Sequence, residues 1–467
     1  MAVGGGRSPV ALGRRAGVAE RDKTRLMTID HVAAEEAALE QDPESLPASV
    51  RRRIFLYLGI LTVLLTFGGP SGGLIDIPVS FFLKNRLHLE AREVAHFRLI
   101  ASIPLYLSFA FGFARDMWNP LGMRDRGFLL VFGGLCALLY LGFALTPMTY
   151  PSLLVAMMML TTSFLFVASA QNGLMSTIGQ QHTMTGQISA AWNVFMAIPG
   201  VASLLIGGWL SSLLEDQNAV TAGRILFLAG AAIMTAVSLF ALLKPRDVFA
   251  HVHPERGAEV HPADDIKRLF RHRQIYPALL IWLLWNFAPG SATPLQYHLQ
   301  NVLHASDAQW GQWNAIFSAS FIPTFILYGF LCRRFPLKTL LWWGTIFAIP
   351  QNVPLLFTHS VPAALMVAVP IGLMGGVATG AYMDLIIRSC PRGLQGTLLM
   401  MSASLYYTVT RFGDILGTVL YDRYGGFTAC VAAITLVYAL ILPVLLLVPK
   451  SLIATSDGQV SEGVKGA

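Results

Sequence analysis

From Ile54 onward, long apolar runs alternate with short polar islands along almost the whole chain. About 20 consecutive apolar residues carry a helix across a bilayer core. On that measure the first half holds six spans, near 54–83, 93–114, 127–146, 151–175, 184–213 and 222–243. The second half holds six more, near 276–300, 308–332, 337–357, 361–387, 394–420 and 427–449. The first, fifth and eleventh are longer than a crossing needs. Their Gly and Pro residues (Gly68-Gly69-Pro70 and Pro78 in the first) predict tilt or kinks rather than extra length. The chain then divides into a disordered tail over 1–50, a bundle over 51–245, a linker over 246–274, a second bundle over 275–450 and a polar tail over 451–467. The first apolar run starts at Ile54, so the first helix is expected to direct insertion without a cleavable leader.

The two sets of six repeat each other. Pro78, Leu83, Asn85, Leu87 and His88 stand at the same spacing as Pro294, Leu299, Asn301, Leu303 and His304. Further on, Gly112 aligns with Gly329. A duplicated six-helix unit predicts two pseudo-symmetric bundles with a substrate site near the midplane between them.

Composition narrows the class. With 54% hydrophobic and 13% charged residues over 467 positions, a soluble domain is excluded. The net charge of +7 does not signal nucleic acid, because the basic residues sit in short loops where they set topology. One side collects Arg51 to Arg53, Arg115, Arg124, Arg126, Lys244, Arg246, Lys267, Arg268, Arg271, Arg273, Arg333, Arg334, Lys338, Arg388 and Arg392. The other has mainly Lys84, Arg86, Arg92, Arg224 and Arg423. The first side is read as cytoplasmic. With an even number of spans, both termini are expected there too. Cys136, Cys332, Cys390 and Cys430 show no CxxC spacing, so neither a disulfide framework nor a metal site is expected. The linker histidines His251, His253 and His261 lack further ligands at metal spacing. No phosphate-cradling loop suggests an ATP-driven pump, and no nucleophile or metal arrangement suggests an enzyme; no cofactor is expected.

The most specific stretch is the charged island Gly112-x3-Asp116-x5-Gly122-x-Arg124-x-Arg126, between the second and third spans. Gly112 lets two helices approach, Asp116 is placed to face a helix end or an arginine, and Asn119-Pro120-Leu121-Gly122 makes a turn. The arginines are expected in water. This spacing resembles the loop signature of the major facilitator superfamily. The resemblance implies an all-α membrane protein of 12 transmembrane helices in two pseudo-symmetric six-helix bundles, the major facilitator fold. Four patches resemble the folate–biopterin transporter family within it. They are Pro78 to Leu89, Ala101-Ser102-Ile103-Pro104 with the Gly112 loop, Leu284-Trp285-Asn286-Phe287-Ala288-Pro289, and Arg388-Ser389-Cys390-Pro391-Arg392-Gly393. The chain departs from that family at Ser169-Ala170-Gln171-Asn172-Gly173, where an acidic residue is common. It departs again at Gln395, where Glu is common, and at Ser404 to Tyr407, where Ser-x-x-Asn is common.

Charged residues inside spans are costly and usually functional or paired. Asp76, in the Gly-rich first span, is a candidate proton or cation site. The alternative is a carboxylate bonded to backbone freed at the Gly/Pro kink. Arg411, deep in the eleventh span, is the candidate for an anionic substrate group. It could equally pair with Asp384, or with Asp414 one turn along. Gln171, Asn172, Trp192, Asn193, Trp285, Asn286, Gln296 and Tyr382 form a polar and aromatic set that could hold a flat ring, or simply join helices. The reading is a secondary transporter for a small organic solute, pterin- or folate-like, driven by protons and working as a monomer in the cell membrane. The alternatives are a permease for a muropeptide, drug or sugar-like solute, or a receptor that does not transport.

Overall fold

The computed structural model describes residues 47–72, 74–83, 87–88, 91–215, 219–245, 262–391 and 393–458. The tail over 1–46, the linker histidines His251, His253 and His261, and the segment Lys84-Asn85-Arg86 of the repeat lie outside them.

The first half begins with α1 (Ala48–Gly68) and α2 (Asp76–Phe81), which follow one apolar run but do not form one helix. Pro70 disfavours helical backbone at the residue before it, and Gly69 duly turns extended with φ −63° and ψ 130°. The expected kink is therefore a full break. The second run divides too, into α3 (Ala91–Ala101), α4 (Ile103–Tyr106) and α5 (Ser108–Met117), around Pro104. Then come the longer helices α6 (Asp125–Ala144), α7 (Tyr150–Gln181), α8 (Thr185–Glu215) and α9 (Ala219–Phe240).

Part of the linker forms the short helix α10 (Pro262–Arg271). The second half opens with α11 (Ile275–Asn286) and α12 (Thr293–Tyr297), again broken, at Pro289-Gly290. Gly290 has φ +106°, and a Cβ there would collide with that of Cys430. The chain continues through α13 (Asp307–Arg334), α14 (Leu337–Ala348), α15 (Val361–Ser389), α16 (Gln395–Arg423), α17 (Gly426–Ala439), α18 (Ile441–Leu445) and α19 (Lys450–Ile453).

Among the described residues, eight helices are long and apolar enough to cross a membrane. The other four crossings fail that test for visible reasons. Two are broken into short helices, α1 carries Arg51, Arg52 and Arg53, and α16 carries Arg411, Asp414, Asp422 and Arg423. Among the described residues the fold is all-helical.

The repeat is present in the backbone. After α2, the amide of Leu87 donates to Phe82 O over 3.1 Å; after α12, that of Leu303 donates to His298 O over 3.3 Å. Both are five-residue closures, wider than an α-turn. His88 and His304 then both adopt the left-handed region, at φ 50° and 57°.

Candidate functional site

The charged island builds a network at the end of the molecule that carries the basic loops. Arg115 is the hinge of it. Its Nε and Nη2 donate to Asp125 at 2.6 and 2.8 Å, and its Nη1 donates to Asp116 Oδ1 at 2.7 Å. The guanidinium can lie there because Gly173 of α7 leaves room for it. Asp116 thereby faces both of its expected partners, an arginine and a helix end. The helix is α16, in the other half. Asp116 Oδ1 accepts from Gly396 N at 3.1 Å, and Oδ2 accepts from Thr397 N at 2.6 Å and Thr397 Oγ1 at 2.7 Å. An anion at a helix N-terminus meets unpaired N–H groups and the positive end of the dipole. Taking one partner from such a buried ion set costs roughly 3–5 kcal/mol.

Gly112 and Gly396 let the helices close on one another. A Cβ on Gly112 would run into Gly396 O and lie 2.7 Å from Met400 Cβ. Gly122 supplies a turn with φ +66°. Arg124 precedes α6 with its own N–H bonded to Asn119 Oδ1 at 2.6 Å. Arg126 does not simply stand in water. Its Nε and Nη2 donate to Ala241 O and Leu242 O at 2.9 and 3.0 Å, closing the end of α9.

Further bonds cross between the halves nearby. Gln180 Nε2 donates to Ile387 O and Cys390 O, both at 2.8 Å, and Gln395 Nε2 donates to Gln180 Oε1 at 3.0 Å. Ser189 Oγ donates to Gly380 O at 2.8 Å. Ser404 Oγ donates to Tyr106 O, a carbonyl beside the break between α4 and α5. Leu105, Phe111, Leu165, Met400 and Tyr407 pack together above that. The seam between the halves is thus sealed from the basic loops up to Tyr407.

Beyond Tyr407 the character changes. Arg411 lies one turn further along α16, four residues on and so on the same face, and it is exposed. Neither expected carboxylate partner is there. Asp414 accepts instead from Thr293 N and Oγ1 at 2.9 and 2.8 Å, capping α12. Asp384 is fully buried and holds Arg388 Nε at 2.9 Å and Tyr328 Oη at 2.9 Å. Among the described residues Arg411 makes no ion pair; its charge falls on Tyr406. Asp76, at the start of α2, is the electrostatic neighbour of Arg98 from α3 and of Tyr407 from α16. The Tyr406 and Tyr407 rings meet edge-on at 5.1 Å, and Tyr406 is 43% exposed.

The remaining candidates divide. Trp285 stacks on Tyr438 at 4.7 Å and meets Tyr382 at 5.4 Å, while Tyr382 Oη bonds Thr345 Oγ1 at 2.7 Å. Both rings are buried inside the second half. Gln171 Nε2 donates to Thr62 Oγ1 at 2.6 Å, joining α7 to α1. Asn172 Nδ2 reaches Met400 Sδ at 3.2 Å across the seam. Asn193 and Asn286 donate to Ser189 O and Trp282 O of their own helices, both at 2.8 Å. Gln296 Nε2 donates to Gln300 Oε1 at 3.4 Å. Trp192, Asn193, Asn286 and Gln296 are half-buried.

Sequence reasoning passed over Arg115, Asp125, Arg388, Tyr406 and Asp457. The Arg115-Asp116 doublet ahead of Asp125 was a signal for the first two. Asp457 gave none, because it stands in what reads as a polar tail. The structure folds that tail onto the bundle through Gly458, with Ser456 and Asp457 buried. Burial, then the nearby Asp384 carboxylate, push the Asp457 carboxyl up to about 6, against the pull of Arg388.

The profile of the major facilitator superfamily matches residues 185–418. Solved structures of transporters are similar over most of the chain. A bacterial homologue of the iron transporter ferroportin, outward-facing, is 16% identical with a TM-score of 0.63, covering 84% of this chain and 98% of its own. The fucose transporter FucP in the outward conformation is 15% identical with a TM-score of 0.61, covering 85% and 98%. The human organic anion transporter MFSD10 is 15% identical with a TM-score of 0.55, covering 84% and 99%. No curated protein sequence matches the chain.

Proposed function

The chain belongs to the major facilitator superfamily, and on that premise we propose that it is a secondary active transporter of a small organic anion working by alternating access. One observation carries the substrate class. Arg411 is exposed one turn along α16 from Tyr407, which packs against Leu105 and Leu165 of the first half, and among the described residues it has no carboxylate to neutralise it. A guanidinium kept in that state at the edge of a sealed seam is suited to a carboxylate or another planar anionic edge. Tyr406 and Tyr407 beside it offer rings for a flat solute. A pterin- or folate-like solute combines both features and is the favoured class. Asp76, between Arg98 and Tyr407, is the candidate proton carrier, so transport is read as proton-coupled. The basic end is read as cytoplasmic, in the cell membrane, and the working unit as a monomer.

A second reading is a permease for another organic solute, such as a muropeptide, drug or sugar. It is supported by Gln395, which stands where the folate–biopterin pattern has an acid and bonds Gln180 instead.

The test is a thermal-shift screen of purified protein against pterins, folates, sugars and peptidoglycan fragments, followed by uptake of any stabilising solute. Arg411→Lys keeps the charge but not the fork. The half-saturation concentration should rise at least about tenfold for an anionic solute and much less for a neutral analogue. Equal losses for both would reduce Arg411 to a structural residue.

A further inference from the structure

We propose that the C-terminal tail carries the second half's own latch, Asp457 closing the basic end of the molecule by capping α8 as Asp116 closes it by capping α16.

The two contacts correspond atom for atom. Asp457 Oδ1 accepts from Gly186 N at 3.1 Å and Oδ2 from Gln187 N at 2.8 Å. Asp116 makes the same pair of bonds to Gly396 and Thr397. Each helix start is preceded, three residues before its glycine, by a left-handed residue: Thr183 at φ 47° and Gly393 at φ 79°. Each glycine is required by the opposing half. A Cβ on Gly186 would lie 2.7 Å from Cys332 Cβ, and one on Gly396 would lie 2.8 Å from Arg115 Cδ.

The anchoring also corresponds. Arg115 ties Asp116 to Asp125 within the first half. Arg388 ties Asp457 to Asp384 within the second, at 3.0 and 2.9 Å. Arg388 Nη1 also donates to Thr455 O at 2.9 Å, and Leu337 N to the same carbonyl at 3.4 Å. The tail is thereby fixed to its own half, and among the described residues its capping bonds, with Gly458 N to Thr183 O at 2.9 Å, reach the other.

Why the tail is needed follows from the repeat. With Gly112 aligned to Gly329, Arg115 and Asp116 fall on Cys332 and Arg333. The second half has no carboxylate at that turn. The tail brings one to the same place: Asp457 N donates to Cys332 O at 2.9 Å, and the Cys332 thiol approaches Asp457 Oδ2 at 3.8 Å. A side chain that caps a helix start with two N–H bonds, charged or neutral, shifts an equilibrium about tenfold when removed.

The proposal rests on the alternating-access reading for its meaning, but its test needs no solute. Spin labels on Leu121→Cys and Phe335→Cys, exposed in basic-end loops of the two halves, report the gap by pulsed electron resonance. Asp457→Ala should raise the population at long distance about tenfold, as Asp116→Ala should, and the double variant should exceed either. The latch is overturned if Asp457→Ala overlays the parent and the double variant overlays Asp116→Ala. Should Asp457→Ala fail to fold, Gln187→Cys with Asp457→Cys, in a Cys332→Ser background, is cross-linked by copper phenanthroline and measured by peptide mass spectrometry. Adding Asp116→Ala should lower the yield several-fold, since opening carries α8 away from a tail that stays behind. An unchanged yield means the tail travels with α8, and the proposal fails. Uptake with no latch effect, or a latch effect with no uptake of any solute, separates failure of this inference from failure of the transport reading.

Discussion

At the scale of single residues, the charges in this protein are sorted by whether a carboxylate meets them. Arg115 and Arg388 are each held between two carboxylates, whereas Arg411 has none among the described residues. Asp76 is the acidic counterpart, sitting near Arg98 and Tyr407. If it carries the coupling proton, Asp76→Asn should abolish the pH dependence of uptake while leaving exchange. Concentrative uptake with an unchanged pH optimum would make it structural. Asp457 gives a second pH effect, with a definite sign. It faces Asp384 and Arg388 of α15, Cys332 and Tyr328 of α13, and the N–H groups of Gly186 and Gln187. In the closed form it holds a proton up to about pH 6, whereas released into water it would titrate near 3.8. Closing therefore takes up a proton in that window. A neutral carboxyl keeps an acceptor for the helix end and relieves repulsion from Asp384. The closed population should grow as pH falls through 6, by no more than about tenfold per unit. Distance measurements about one unit either side of that window's upper edge would check it, and Asp457→Ala should remove the response.

At the scale of helices, close approach is decided by glycine. Gly112→Val should prevent α5 from seating on α16, because even its Cβ would run into Gly396 O. The expected variant inserts normally but stays open at the basic end, with the long label distance predominant. A closed distance distribution in a well-expressed protein would refute it. The helices themselves were legible in the apolar runs, as was the repeat, since Leu87 and His88 share with Leu303 and His304 the same wide closure and left-handed residue. What the pattern missed has a physical reason in each case. Gly-Pro pairs signalled a disturbance at 69–70, but whether a helix bends or breaks depends on what the freed backbone meets. Asp414 stands at helical spacing from Arg411, yet the unpaired start of α12 takes it. Trp285 and Tyr382 have the chemistry of a ring clamp, but they pack into their own bundle. Asp457 lies about 270 positions from the helix it caps, so no local spacing could reveal it.

At the scale of the whole molecule, the count of crossings decides everything else, because each span added or removed reverses the sidedness of all that follows. Eight helices qualify by length and apolarity alone. The segment from Ile275 shows why twelve is the better count. Helix α11 has 12 residues and reaches about 18 Å, short of a hydrocarbon core of about 30 Å. Joined to α12 and the wide turn that follows, it reaches the far side. Helix α1, with 21 residues, reaches about 31 Å, but Arg51, Arg52 and Arg53 lie near its start, so its apolar part too is extended by α2. If these broken pairs each make one crossing, Leu121 and Phe335 share the basic side, and Leu145 and Phe357 share the other. All four are exposed, at 65%, 44%, 73% and 73%. The basic loops then all fall on one face, as the retention of Lys and Arg in the cytoplasm requires. Single cysteines at these positions, treated in intact cells with a membrane-impermeant maleimide, should react at Leu145→Cys and Phe357→Cys. Leu121→Cys and Phe335→Cys should react only after the membrane is opened. Were α11 not part of a crossing, Phe335 and Phe357 would exchange sides while Leu121 and Leu145 kept theirs. That outcome would place Arg333 and Arg334 outside and remove the geometry in which Asp116 and Asp457 close the same end.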